Sequence, residues 1–131
     1  MNIIASAVLL TVGHPAASSR FFTSHLGFRE VLVTDDVIHL SRDDAATDLV
    51  VSRCDRCDTQ PRPGQQPAAH AEVMVSFTVT DLAAEHERLR REGARILMPL
   101  RQEPWGEWVL QLLDPNGVVV QIVEWVPPVG A

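Results

Sequence analysis

His39 sits in the middle of a short strand-like run, Val37-Ile-His-Leu-Ser41, where an imidazole could take or give a proton near neutral pH. The competing reading is an ordinary half-buried strand histidine. Trp105 and Trp108 lie in Glu103-Pro-Trp-Gly-Glu-Trp108, and an indole can stack on a planar ring or on a cation. Packing or a dimer contact would account for both equally well. Met74 offers a deformable thioether. Gln121 offers an amide that either orients a ligand or satisfies polar neighbours. Cys54-Asp-Arg-Cys57 has CxxC spacing, but zinc needs two more ligands and His70 alone does not supply them. A redox pair of this kind stands at a helix N-terminus beside a strand, whereas this one opens a proline-rich stretch. We read the two as chance cysteines; a local or intersubunit disulfide and a metal site are the alternatives. His14, His25 and His86 fall at a strand end or on helices and are expected to face solvent. Arg88-Leu-Arg-Arg91 with Glu85, Glu87 and Glu92 reads as a solvated, charge-paired helix face.

The elements that must position these groups come twice. Ile3 to Val12 is strand-like, Ala16 to Leu26 has helical spacing of Phe21, Phe22 and Leu26, and Gly27 stops the helix. Phe28–Val33, Val37–Ser41 and Asp48–Ser52 follow as strands, with a turn at Arg42 to Ala46. The pattern returns as a strand from Glu72 to Val79, a helix from Leu82 to Glu92, and strands at Arg95–Pro99, Glu107–Leu113 and Val118–Trp125. Asp114-Pro-Asn-Gly117 is the firmest turn signal between the last two. Such a repeat means two supersecondary units that must cover each other's apolar faces. The expectation is one α+β domain over 1–131: a first βαβββ unit at 1–53, a linker or flap at 54–71, and a second unit at 72–126. Two curved mixed half-sheets laid side by side would enclose a cleft.

Strand alternation predicts what faces that cleft. Val8, Leu10 and Val12 should back onto the first helix, leaving Ala7, Leu9 and Thr11 toward the cleft. Val75, Phe77 and Val79 should back onto the second, leaving Met74, Ser76 and Thr78. A tight turn at Pro115-Asn116 would pair Gln121 with Leu110, placing Trp108, Leu110, Leu112, Val119, Gln121 and Val123 on one face. Superposing the first unit's hairpin puts His39 where Leu110 sits, flanked by Val37 and Ser41. The cleft is then apolar with a few orienting polar groups, as ligand pockets are.

Composition narrows the function. The net charge is −6 and all eleven basic residues are arginine, which argues against nucleic-acid binding. It leaves room for a cationic ligand, although an acidic surface also serves solubility alone. No apolar run reaches the roughly 18 residues of a membrane span, and the N-terminus lacks a basic leader, so the expectation is a cytoplasmic protein with no membrane partner.

The two βαβββ units, the Phe-Phe helix ending in Leu26-Gly-Phe28, Val79-Thr-Asp-Leu82, Glu103-Pro-Trp-Gly106 and Asp114-Pro-Asn-Gly117 together resemble the vicinal oxygen chelate superfamily. That group holds glyoxalase I, bleomycin-resistance proteins, fosfomycin-resistance enzymes and extradiol dioxygenases. The resemblance implies a metal site whose ligands come from the first and last strands of the units. Carried onto this sequence, those positions are Ala7, Met74 and Gln121. Ala has no donor, Met is soft and Gln is a poor neutral ligand, so no metal and no other cofactor is expected. A one-residue change of register would bring Ser6 or Glu124 forward without completing a ligand set.

Two function classes follow. The first is a metal-free binder of a small aromatic or cationic molecule, as in antibiotic sequestration, using Leu9, Thr11, Val37, His39, Met74, Ser76, Thr78, Trp105, Trp108, Leu110 and Gln121. The second is an enzyme of lyase, isomerase or dioxygenase type that uses His39 as acid or base, or an atypical metal set. Because one small unit leaves its sheet half covered, a two-fold homodimer is expected.

Overall fold

In the computed structural model the chain folds as two compact units, Met1–Pro67 and Ala68–Ala131. The structure describes Asn2, residues 4–54 and residues 70–125. The first unit runs β1 (Ala7–Val12), α1 (Pro15–Leu26), β2 (Arg29–Val33), β3 (Val37–Ser41) and β4 (Asp48–Arg53). Its sheet has the order β1-β4-β3-β2, with β1 and β4 parallel and the other pairs antiparallel. The second unit runs β5 (His70–Thr78), α2 (Leu82–Arg91), β6 (Ile96–Gln102), β7 (Trp108–Leu113) and β8 (Val118–Glu124), and its sheet order β5-β8-β7-β6 repeats the first. Each unit is therefore the expected βαβββ arrangement on a mixed sheet.

Alternation decides the cores. Leu10, Val12, Ile38, Leu40, Leu49 and Val51 are all buried, and their paired registers put them on one side of the first sheet. Helix α1 lies on that side; Ser19 on its buried face donates to Glu30 of β2. Phe22 is fully buried and meets Phe21 and Phe28 edge to face, with ring centroids 5.3 and 5.7 Å away. Such rings supply much of a small core's stability. Proline at the first helical position starts α1, and Gly27 ends it at φ 69°. A Cβ at Gly27 would lie 2.7 Å from the Arg42 guanidinium, which donates to the last helix carbonyl, Leu26 O, and covers the Phe28 ring. A glycine is needed here both for its backbone angle and for room.

In the second unit Leu82 and Leu89 of α2 are buried, as are Leu110, Leu112, Val120 and Ile122 of the sheet. Glu124 shares the face of Ile122, and its two carboxylate oxygens accept from the backbone N–H groups of Asp81 and Leu82 at 2.8 and 3.1 Å. That satisfies two orphan donors at the start of α2 and sets a negative charge at the positive helix end. Asp81 is the lone non-glycine residue with positive φ among the described residues (55°), and its carboxylate accepts from Ala84 N. The solvated face of α2 carries the expected pairs: Arg88 with Glu85 and Glu92, and Arg90 with Glu87.

The boundaries differ from expectation in two instructive places. The first strand begins at Ala7, not Ile3. Strand β6 runs on to Gln102 past Pro99, with register shifts between Ile96 and Met98 and between Met98 and Arg101. An edge strand tolerates the missing proline N–H.

Candidate functional site

On the first sheet, the face turned away from α1 carries the residues expected there. Leu9 pairs with Val50, Val50 with His39, and His39 with Leu32, so the four form one row across the sheet. Thr11 and Val37 both pair with Ser52, one row along. Leu9 is 63% exposed and Leu32 54%, while His39 and Val50 are half-buried. His39 Nε2 lies 2.9 Å from Asp48 Oδ2, and Ser41 Oγ donates to Asp48 Oδ1 at 2.8 Å. These hydrogen bonds, that of His39 first, hold the Asp48 carboxyl below its ordinary pKa. A carboxylate fixed on one imidazole nitrogen orients the ring and leaves Nδ1 as its other edge. Sequence reasoning missed Asp48 because nothing local separates it from a strand-opening turn residue. The signal was present only as two-residue alternation across a hairpin.

On the second sheet the expected register is corrected. Gln121 pairs with Gln111, not with Leu110, and Leu110 pairs with Ile122. The cause is the loop. Asp114 N–H donates to Val118 O at 2.9 Å, Gly117 N–H donates to Asp114 O at 3.0 Å, and Gly117 has φ 88°. The connection is thus the longer Pro115-Asn-Gly117 loop with glycine in the bulge position, not a tight turn on Pro115-Asn116. Asp114 Oδ1 fixes it by accepting from Asn116 N and Val118 N, each at 2.8 Å. The slip moves every β7 side chain to the opposite face. Trp108, Leu110 and Leu112 therefore share the α2 side, where Trp108 pairs with Glu124. Val109, Gln111 and Leu113 join Val119, Gln121 and Val123 on the other side, with Met74, Ser76 and Thr78 beside them on β5. By the same register His39 corresponds to Gln111, not to Leu110.

The remaining candidates scatter. Trp105 is 57% exposed in the β6–β7 loop, which repeats the same device: Glu103 N–H donates to Glu107 O, Gly106 N–H donates to Glu103 O, and Gly106 has φ 102°. His14, His25 and His86 are half-buried, and His25 stands edge-on to Phe21 at 5.4 Å. Cys54 is disulfide-bonded, which replaces the reading of chance cysteines. Cys57 and most of the expected linker lie outside the described residues.

A protein-family model described as the Glyoxalase/Bleomycin resistance protein/Dioxygenase superfamily matches residues 4–122. This chain belongs to that superfamily. Superfamily structures share its fold at low identity. TioX from Micromonospora sp. ML1 is 21% identical over 93% of this chain and 98% of its own, with a TM-score of 0.68. A glyoxalase/bleomycin resistance protein/dioxygenase from Nocardioides is 19% identical over 100% and 87%, with a TM-score of 0.74. A lactoylglutathione lyase from Agrobacterium tumefaciens is 16% identical over 95% of both chains, with a TM-score of 0.70. These likenesses speak for the fold alone. No curated protein matches the chain.

The superfamily's metal can be tested against the residues present. Ala7 has no donor, Met74 is a thioether, and the Gln121 Oε1 accepts from Gln111 Nε2 at 3.1 Å. Among the described residues no three His, Cys, Asp or Glu side chains converge as a metal-holding group. The donor set does not fit a hard or borderline divalent ion. No helix of the described residues is long and apolar enough to cross a membrane.

Proposed function

We propose that this superfamily member binds a small planar molecule, aromatic or cationic, without a metal, and that antibiotic sequestration is one use of such binding. The observation that carries the reading is the donor set. Where the superfamily would place metal ligands this chain has Ala7, Met74 and a glutamine whose carbonyl is already engaged. The faces turned away from the helices offer apolar wall, neutral polar groups and the His39–Asp48 pair in their place, which suits binding more than Lewis-acid chemistry. We read the binder as a cytoplasmic homodimer, supported by exposed Val31, Leu32 and Val33 on edge strand β2. The test is a titration of chelator-dialysed protein with a panel of planar aromatics, followed by tryptophan fluorescence. Micromolar quenching is expected. Binding that appears only when a stoichiometric ion is restored overturns the reading.

A second reading has its own observation. The Asp48 carboxylate on His39 is the arrangement of an oriented acid or base. An enzyme of lyase, isomerase or dioxygenase type built on it would lose its rate in His39→Gln. Turnover unaffected by His39→Gln removes it.

A further inference from the structure

Strand β8 reads Val-Val-Val-Gln-Ile-Val-Glu, and Gln121 is the polar interruption of an otherwise apolar run. Its cross-strand partner on β7, in Trp-Val-Leu-Gln-Leu-Leu, is again a glutamine, Gln111. On their shared face both are ringed by Val109, Leu113, Val119 and Val123, all buried at 7% exposure or less. An amide on such a face is costly unless its polar atoms find partners. Among the described residues the two amides bond only each other, Gln111 Nε2 donating to Gln121 Oε1 at 3.1 Å. One bond uses one donor and one acceptor, so the pair keeps a free carbonyl on one side chain and a free amino group on the other. Turning both amides over exchanges which side chain carries which, but not the set. No buried side-chain polar atom among the described residues lacks a partner, so the free ends keep access to solvent. The row they stand in continues to Ser76 on β5 and Met98 on β6 and carries no formal charge.

We infer that the Gln111–Gln121 pair is a recognition site for a neutral planar ligand that presents N–H and C=O side by side, as a lactam, cyclic imide or carboxamide does. The free carbonyl accepts from the ligand N–H, the free amino group donates to the ligand C=O, and the apolar ring excludes water from both bonds. The inference rests on the binding reading above and narrows it. A ligand matched to this row is neutral, not cationic, at the edge that meets the sheet. A site built to bond such an edge discriminates against an analogue that lacks it, because its own polar groups are then left unpaired.

The test uses 2-quinolone and 1-methyl-2-quinolone, which share ring and carbonyl and differ in the N–H. Isothermal titration should show 2-quinolone bound at least about tenfold more tightly. Gln121→Leu and Gln111→Leu should each shrink that preference. Gln121→Glu keeps the side chain's shape and an acceptor for the ligand N–H but has no amino group to donate, and should weaken both compounds while keeping the preference; thermal melts confirm that each variant is folded. Equal affinity of the two compounds for the wild-type protein overturns the lactam assignment and leaves the binding reading standing. The same holds if neither binds while other planar aromatics do. Absence of binding across the whole aromatic panel removes the binding reading and this inference with it.

Discussion

His39 and Asp48 stand on adjacent antiparallel strands as diagonal neighbours, with Nε2 2.9 Å from Oδ2, on the face of the first sheet turned away from α1. The folded-state pKa of Asp48 is depressed, first by the hydrogen bond to His39 and then by that from Ser41. A group whose folded pKa lies below its unfolded value of about 3.9 contributes stability that is fully present above that pH. The contribution is lost as pH falls through the folded pKa. The stability difference between wild type and Asp48→Asn should therefore be largest above about pH 4 and shrink below it. Denaturant melts from pH 7 to pH 3 check this, and a pH-independent difference would show that the pair is not linked to folding.

Metal addition should leave the protein unmoved. An ion that binds the native state tightly must raise stability by mass action, by about 2.7 kcal/mol at a hundredfold excess over its dissociation constant. With Ala7, Met74 and an engaged Gln121 at the superfamily positions, Zn, Ni, Fe and Mn should each leave the melting temperature unchanged. Differential scanning fluorimetry of dialysed protein reads the outcome. A saturable rise with any of these ions would mean that the donor set is drawn from elsewhere in the chain.

The tryptophans should separate. Trp108 lies on the α2 side of its sheet and is half-buried, so Trp108→Ala should leave ligand affinity within about twofold while costing on the order of 1–2 kcal/mol of stability. Trp105 is exposed on a loop, and Trp105→Ala should weaken binding of a stacking ligand by about tenfold, or 1.4 kcal/mol. Titration and denaturant unfolding of the two variants side by side decide it. Loss of affinity in Trp108→Ala alone would place the ligand on the α2 side of the sheet.

Glu124 ties the end of β8 to the start of α2. Replacing it with alanine frees two backbone donors at a helix N-terminus, where loss of a capping group costs about 1 kcal/mol. Chemical denaturation of Glu124→Ala should show a drop of that order. Glu124→Gln, which can still accept, should recover part of it.

Edge strand β2 exposes Val31, Leu32 and Val33 at 44, 54 and 56%. A second copy of the chain is the expected cover, and light scattering at micromolar concentration should give a dimer mass. A monomer mass at that concentration removes the homodimer.

The sequence by itself determined the repeat, the two βαβββ units and the helix-facing sides of β1 and β5, because alternation within one strand needs no partner. It also marked Gly27 and Gly117 as stops and turns, since few residues other than glycine take positive φ readily. Val37–Ser41 and Trp108–Leu113 were legible as strands, the first to the residue and the second within one. The pairing between strands was decided only by the tertiary structure. Whether Gln121 met Leu110 or Gln111 turned on one extra loop residue, fixed by the Asp114 carboxylate and the bulge at Gly117, and that choice moved Trp108 and Leu110 across the sheet. Asp48 reached His39 in the same way, by register across a hairpin whose connecting loop no local pattern specifies. A strand's own faces follow from its covalent period, but which residues meet across strands depends on loop geometry settled by hydrogen bonds the folded chain alone provides.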